Sequence, residues 1–189
     1  GTNWTPMVGS QTSKNFQGIY GFAPDDVYAV GNYGAIVRYN GTEWVAIPSM
    51  TTQNLRSVWG ATPDDVWIVG ELGTIFRWNG FELSKIEVDT EETFEDVWGT
   101  GPDDVMFVGS KGTIYRWDGT QMLDESPPGF NATFFTVGGT TGGLVTTTGT
   151  HELLLGPMLQ VPENISPADM GTMGEDYEIS WTVKEGPDP

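Results

Sequence analysis

The sequence predicts an all-β fold, a β-propeller whose blades are four short antiparallel strands repeating every 39 residues. Three observations carry this. Pro-Asp-Asp-Val occurs at Pro24–Val27, Pro63–Val66 and Pro102–Val105, and 64 − 25 and 103 − 64 both equal 39. Tight-turn dipeptides recur in step, as Asn40-Gly41, Asn79-Gly80 and Asp118-Gly119. No segment carries a helix-period apolar pattern of useful length.

The second copy shows how each element is read. Leu55-Arg56-Ser57-Val58-Trp59-Gly60 alternates apolar and polar side chains, as a half-buried strand does. Ala61 to Asp65 reads as a turn, with φ preset by Pro63 and backbone N–H groups capped by the aspartates. Val66-Trp67-Ile68-Val69 is apolar on both faces and reads as a central strand. Gly70 to Gly73 is a hairpin with a glycine at each end for unusual φ. Thr74 to Trp78 is the third strand, Asn79-Gly80 the next hairpin, and Phe81 to Val88 the fourth strand.

The other copies agree. Their first strands end Ile19-Tyr20-Gly21 and Val97-Trp98-Gly99, and Ile36, Ile75 and Ile114 mark the third strands. A fourth copy is eroded: Phe134 to Gly139, Leu144 to Gly149 and Leu153 to Leu155 fit its first three strands. Gly1-Thr2-Asn3-Trp4 matches Gly41-Thr42-Glu43-Trp44, the start of a fourth strand. A strand from the opposite end would complete the last blade and remove its edge. The propeller domain is therefore expected over 1–156, with repeats near 16–54, 55–93, 94–133 and 134–156, about four blades in all. Two half-rings forming an eight-bladed ring, or an open stack, are the alternatives.

Residues 157–189 break the period. Pro157, Pro162 and Pro167 punctuate a loop, and 177–184 is a strictly alternating strand carrying Tyr177, Ile179, Trp181 and Val183 on one face. It has no hairpin partner beside it. It is expected to join another sheet edge, in this chain or in a neighbouring subunit.

Composition sets limits. The chain has 26 acidic and 8 basic side chains among 189 residues, a formal charge of −18. Such a surface repels phosphate backbones and anionic lipid, so no nucleic-acid partner and no membrane insertion is expected. The absence of cysteine excludes disulfides, thiol catalysis and zinc–thiolate sites. No apolar run approaches membrane-spanning length. The start at Gly1, without initiator Met or signal peptide, reads as a mature or trimmed product. Abundant Gly, Thr and Trp point to an extracellular or cell-surface protein.

The repeat Leu-x-x-Val-Trp-Gly…Asp-Val-Trp-x-Val-Gly-x-x-Gly-x-Ile-x-Arg-Trp-Asn-Gly resembles propellers of bacterial secreted and surface proteins. It is also similar to tectonin (tachylectin-type) lectin blades over roughly residues 1 to 156. A loose likeness to the sialidase Asp-box lacks the Ser-x-Asp-x-Gly core. The tectonin resemblance implies carbohydrate binding.

Candidate chemistry is weighed against the scaffold. Asp26 with Arg38, Asp65 with Arg77, and Asp104 with Arg116 recur 12 apart and vanish together from the fourth copy. They are expected to form a clamp holding each blade's register, rather than an arginine cluster that binds a carboxylate ligand. Asp25, Asp64 and Asp103 are turn residues first and calcium ligands second, because Asp-x-Asp-x-Asp-Gly spacing is absent. No other cofactor is expected. Trp59, Trp98, Trp78 and Trp117 are core residues, or sugar-stacking rings in the lectin reading. His151 is the single histidine, and no nucleophile elbow or His-Glu-x-x-His occurs. Four Asn-x-Ser/Thr sites begin at Asn3, Asn40, Asn131 and Asn164. The expectation is a non-enzymatic propeller acting through self-assembly, as a homo-oligomer or filament, or through other protein partners. A glycan-binding lectin is the alternative, and a glycosidase using paired carboxylates the third.

Overall fold

The computed structural model describes residues 13–139, 144–149 and 153–157. Four antiparallel sheets follow one another along the chain. The first contains β1 (Phe16–Ala23), β2 (Asp26–Gly31), β3 (Ala35–Tyr39) and β4 (Trp44–Ala46). The second contains β5 (Leu55–Thr62), β6 (Asp65–Gly70), β7 (Ile75–Trp78) and β8 (Leu83–Lys85). The third contains β9 (Phe94–Gly101), β10 (Asp104–Gly109), β11 (Ile114–Trp117) and β12 (Met122–Asp124). The fourth has three strands, β13 (Phe134–Gly139), β14 (Leu144–Gly149) and β15 (Leu153–Pro157). In every sheet the strands neighbour one another in chain order. The first strands of successive sheets pack together, β1 beside β5, β5 beside β9, and β9 beside β13. These are propeller blades, with the first strand of each on the inside. No helix among the described residues is long and apolar enough to cross a membrane.

The hydrophobic core lies in the seams between blades. Tyr28, Val30 and Ile36 of blade 1 meet Leu55, Val58, Val66, Ile68 and Phe76 of blade 2. The other face of blade 2, with Trp59, Trp67, Val69 and Ile75, meets Phe94, Val97, Val105, Phe107 and Tyr115 of blade 3. Met106, Val108 and Ile114 then meet Phe134 and Val137 of blade 4. Trp67 is fully buried, edge-on to Phe107 with ring centroids 5.2 Å apart. Both faces of β6 are therefore covered, which is why its apolar run does not alternate. Fully burying each such side chain stabilises by about 1.5–3 kcal/mol.

Local geometry departs from the sequence reading at three places. The first turn is two residues, Pro63-Asp64, not five: β5 runs on to Thr62 and β6 begins at Asp65, with a register shift between Gly60 and Thr62. The bulge absorbs the extra residue and lets the strands stay paired. The fourth strand is short, Leu83–Lys85, because its pairing with β7 spans only Phe76 to Trp78. In the second hairpin the left-handed residues are the consecutive pair Leu72 (φ 52°) and Gly73 (φ 62°), a primed turn suited to strand twist. The leading glycine has a different reason. A Cβ on Gly70 would collide with the Asn54 carbonyl of the neighbouring strand's entry.

Blade 1 differs from its copies on one face. Ile19 is 70% exposed, whereas Val58 and Val97 at the same repeat position are 4% and 3% exposed. Phe16 is also exposed, while its equivalents Leu55, Phe94 and Phe134 are fully buried. In blades 2 to 4 the preceding blade covers that face, and among the described residues nothing precedes blade 1.

Candidate functional site

The Pro-Asp-Asp-Val motif divides into two jobs. Its second aspartate starts the second strand and faces the arginine of the third strand, because the register pairs Tyr28 with Arg38, Trp67 with Arg77, and Met106 with Arg116. Arg38 donates from Nε and Nη2 to the two carboxylate oxygens of Asp26 at 2.7 and 2.9 Å. Arg77 donates from Nε to Asp65 at 2.7 Å, and Arg116 from Nε to Asp104 at 2.9 Å. The Asp26 hydrogen bond holds the Arg38 guanidinium above its ordinary pKa, against the opposing effect of burial. The guanidinium of Arg38 lies over the Tyr28 ring at 5.1 Å, and that of Arg77 lies between Trp67 at 4.8 Å and Trp117 at 5.2 Å. Each arginine is thus engaged within its own blade, and in blade 2 it also reaches across the seam.

The three clamps are not equally complete. In blade 3 the Thr100 hydroxyl donates to the second oxygen of Asp104 at 2.7 Å. Blade 2 has Ala61 at that repeat position, and the second oxygen of Asp65 is buried with no hydrogen-bond partner. In blade 1 the second oxygen of Asp26 is taken by Arg38 itself.

The first aspartates, Asp25, Asp64 and Asp103, sit one per blade, each against the hairpin glycine of its own blade, Gly41, Gly80 and Gly119. A Cβ on those glycines would press on the aspartate, so turn and hairpin interlock. Among the described residues no three His, Asp or Glu side chains converge as a metal set. The hairpin residue before each glycine caps its own turn. The Asn40 side-chain oxygen accepts from Thr42 N, Thr42 Oγ1 and Glu43 N, and Asp118 does the same for Thr120 and Gln121. These bonds lower the Asp118 pKa to about 2, the Thr120 hydroxyl contributing most.

Of the candidate ring residues, Trp59 is buried in the seam between blades 2 and 3, against which Trp98 and Trp117 pack half-buried. Trp78 packs on the seam between blades 1 and 2. Tyr177, Ile179, Trp181 and Val183, His151, and the amino-terminal match at residues 1–4 lie outside the described residues.

Sequence reasoning missed Asp96. It occupies the inner-strand position held by Gly18, Ser57 and Thr136 in the other blades. Its carboxylate accepts from Ser57 Oγ at 2.6 Å in blade 2, and from Thr136 Oγ1 and Val137 N at 2.9 Å in blade 4. One side chain therefore ties three blades together near the inner strands. The signal was available as the one acidic residue in a series of small ones. Tyr28 makes a comparable link outward, donating from its hydroxyl to the Pro63 carbonyl at 3.0 Å. Burial pushes its pKa up to about 12.

An open groove of about 1150 Å³ lies over the seam between blades 1 and 2. Phe22, Val45, Ile47, Pro48, Phe81 and Leu83 supply its apolar surface, and Asp25 and Glu82 its acidic edge. One seam further on, the matching place around Asp64, Asn79 and Ser84 holds about 320 Å³.

No family model and no curated protein matches this chain. Solved structures do. YCF48 bound to D1 peptide superposes with a TM-score of 0.60 at 15% identity, covering 79% of this chain and 53% of the other. YCF48 from Cyanidioschyzon merolae does so with a TM-score of 0.60 at 16% identity, covering 84% and 56%. The chain spans about half the length of these neighbours and shares their β-propeller fold.

Proposed function

We propose that this chain is a non-catalytic β-propeller unit of an extracellular or surface protein, working by protein–protein contact and first of all with its own copies. The observation that carries this is the uncovered face of blade 1, where Phe16 and Ile19 stand in solvent at positions every later blade buries. Exposed apolar surface at a place shaped to receive a sheet marks an interaction site. The occupant is a second copy, because two first blades meeting face to face cover both surfaces by a single two-fold contact, the commonest oligomer symmetry. Head-to-tail growth into a filament is less favoured. The sequence places Thr146 and Thr148 in blade 4 at the repeat positions of Met106 and Val108. A propeller of the same fold bound to D1 peptide supports a protein-binding role. The clamps support a non-catalytic one, since their carboxylates are committed to arginines. The strand at 177–184 is proposed as a second joining element.

Light scattering over a concentration series tests the reading. The wild-type chain is expected to reach twice its monomer mass, and Ile19→Glu to stay monomeric with an unchanged melting temperature. A wild-type monomer at every concentration overturns it. Deleting residues 170–189 asks separately whether the last strand contributes.

A further inference from the structure

A repeat protein shows what its scaffold requires at each position, so departures confined to one seam call for a separate reason. The groove over the seam between blades 1 and 2 has three. Phe22 stands where blades 2 and 3 have Ala61 and Thr100, and Phe81 where blades 1 and 3 have Thr42 and Thr120. Pro48 stands where blades 2 and 3 have Glu87 and Ser126. All three changes make the groove more apolar, and all three residues line it.

Phe81 is the most telling. The scaffold's own choice there is threonine, whose hydroxyl donates to the hairpin cap in blades 1 and 3, at 2.7 Å in each. Blade 2 gives up that bond and places a benzyl ring 93% exposed in solvent instead. The Asn79 oxygen still accepts from Phe81 N and Glu82 N, so the hairpin keeps its shape without the hydroxyl. Nothing in the packing of blade 2 needs the ring.

The geometry points to a binding site for an extended, basic peptide segment that inserts an apolar side chain between Phe22 and Phe81. Charge complementarity selects this occupant. The lining carries Asp25 and Glu82, both exposed, beside the Asp26–Arg38 ion pair, whose charges offset each other, on a chain of formal charge −18. Such an edge draws Lys and Arg and repels phosphate-bearing ligands. A volume of about 1150 Å³ exceeds the usual range for small-molecule sites and suits several residues of chain. The floor of Val45, Ile47, Pro48 and Leu83 is aliphatic and suits an apolar side chain. The site lies on a different face from the exposed side of β1, so occupancy does not depend on self-assembly.

The test uses a fluorescein-labelled decapeptide of alternating Lys and Leu, read by anisotropy against the full chain, with mass followed by light scattering. A charge-matched Lys/Ser peptide and a Glu/Leu peptide serve as probes of each contribution. Phe81→Thr restores the repeat's own residue and is expected to fold. Binding of the Lys/Leu peptide is expected to weaken at least tenfold in Phe81→Thr and in Phe22→Ala, with melting unchanged in Phe81→Thr. The Lys/Ser and Glu/Leu peptides are each expected to bind wild type at least tenfold more weakly than Lys/Leu. Equal binding of Lys/Leu and Lys/Ser, unchanged affinity in Phe81→Thr, or a lowered melting temperature in Phe81→Thr each overturns the inference. So does tighter binding of a neutral oligosaccharide at the same groove.

Discussion

Replacing Ala61 by threonine should stabilise the protein. Asp65 Oδ2 is buried without a partner, and a buried carboxylate oxygen left unsatisfied is a standing cost. Blade 3 shows the remedy, since Thr100 Oγ1 reaches the equivalent oxygen of Asp104 at 2.7 Å from the equivalent place on the first strand. Both positions lie on first strands beside the same bulge, between Gly60 and Thr62 and between Gly99 and Gly101. A hydrogen bond to a charged group contributes about 1.5–3 kcal/mol, and ordering the side chain on a partly wet strand brings the net to about 1 kcal/mol. For a chain of this size that is an increase of about 2–4 °C in melting temperature. Urea titration and calorimetry on three variants measure it. Ala61→Thr should gain, Thr100→Ala should lose a similar amount, and Ala61→Val should gain nothing, because it adds bulk without a donor. Equal effects of Ala61→Thr and Ala61→Val would assign the change to packing and refute the reasoning. So would a Thr100→Ala variant as stable as wild type.

Two further predictions concern pH. Asp118 has a folded pKa near 2, below its ordinary value of 3.8, so its contribution is present above that ordinary value and is lost as pH falls toward 2. Asp118→Asn copies Asn40 and Asn79, and should match wild-type stability at neutral pH while flattening the acid limb of a stability–pH curve. Tyr28 has the opposite sign. Its folded pKa of about 12 exceeds the ordinary value of 10, so stability is complete below pH 10 and is lost as pH rises from 10 toward 12. Tyr28→Phe loses the Pro63 bond at neutral pH but should unfold less steeply in alkali, and ultraviolet titration should show one late tyrosinate fewer.

Much of the fold was legible because its determinants are local. Period-2 alternation, Asn-Gly dipeptides and the apolar second strand each act within a few residues, so the strands and their order could be read off one copy and checked on the next. The clamp was legible for a related reason. Two residues 12 apart that recur and vanish together must be close in any hairpin that joins them. What failed was fine geometry at strand ends. The bulge near Gly60 and the early end of β8 depend on how far pairing pays against a curving neighbour. The reason for Gly70 depends on the backbone approach of Asn54, not on its own φ.

The seams were not legible. No local pattern joins Phe22 with Phe81, and Asp96 is one of 26 acidic residues. Their roles exist only once blades stack, because a seam joins residues tens of positions apart through side chains rather than backbone pattern. The repeat and its register follow from the sequence alone, since periodic hydrophobicity and turn chemistry dictate which backbone groups pair. The tertiary structure alone decided which faces are covered, which carboxylate oxygens find donors, and where the groove opens. Those depend on packing between blades, and packing is set by shape and distance that no single repeat contains.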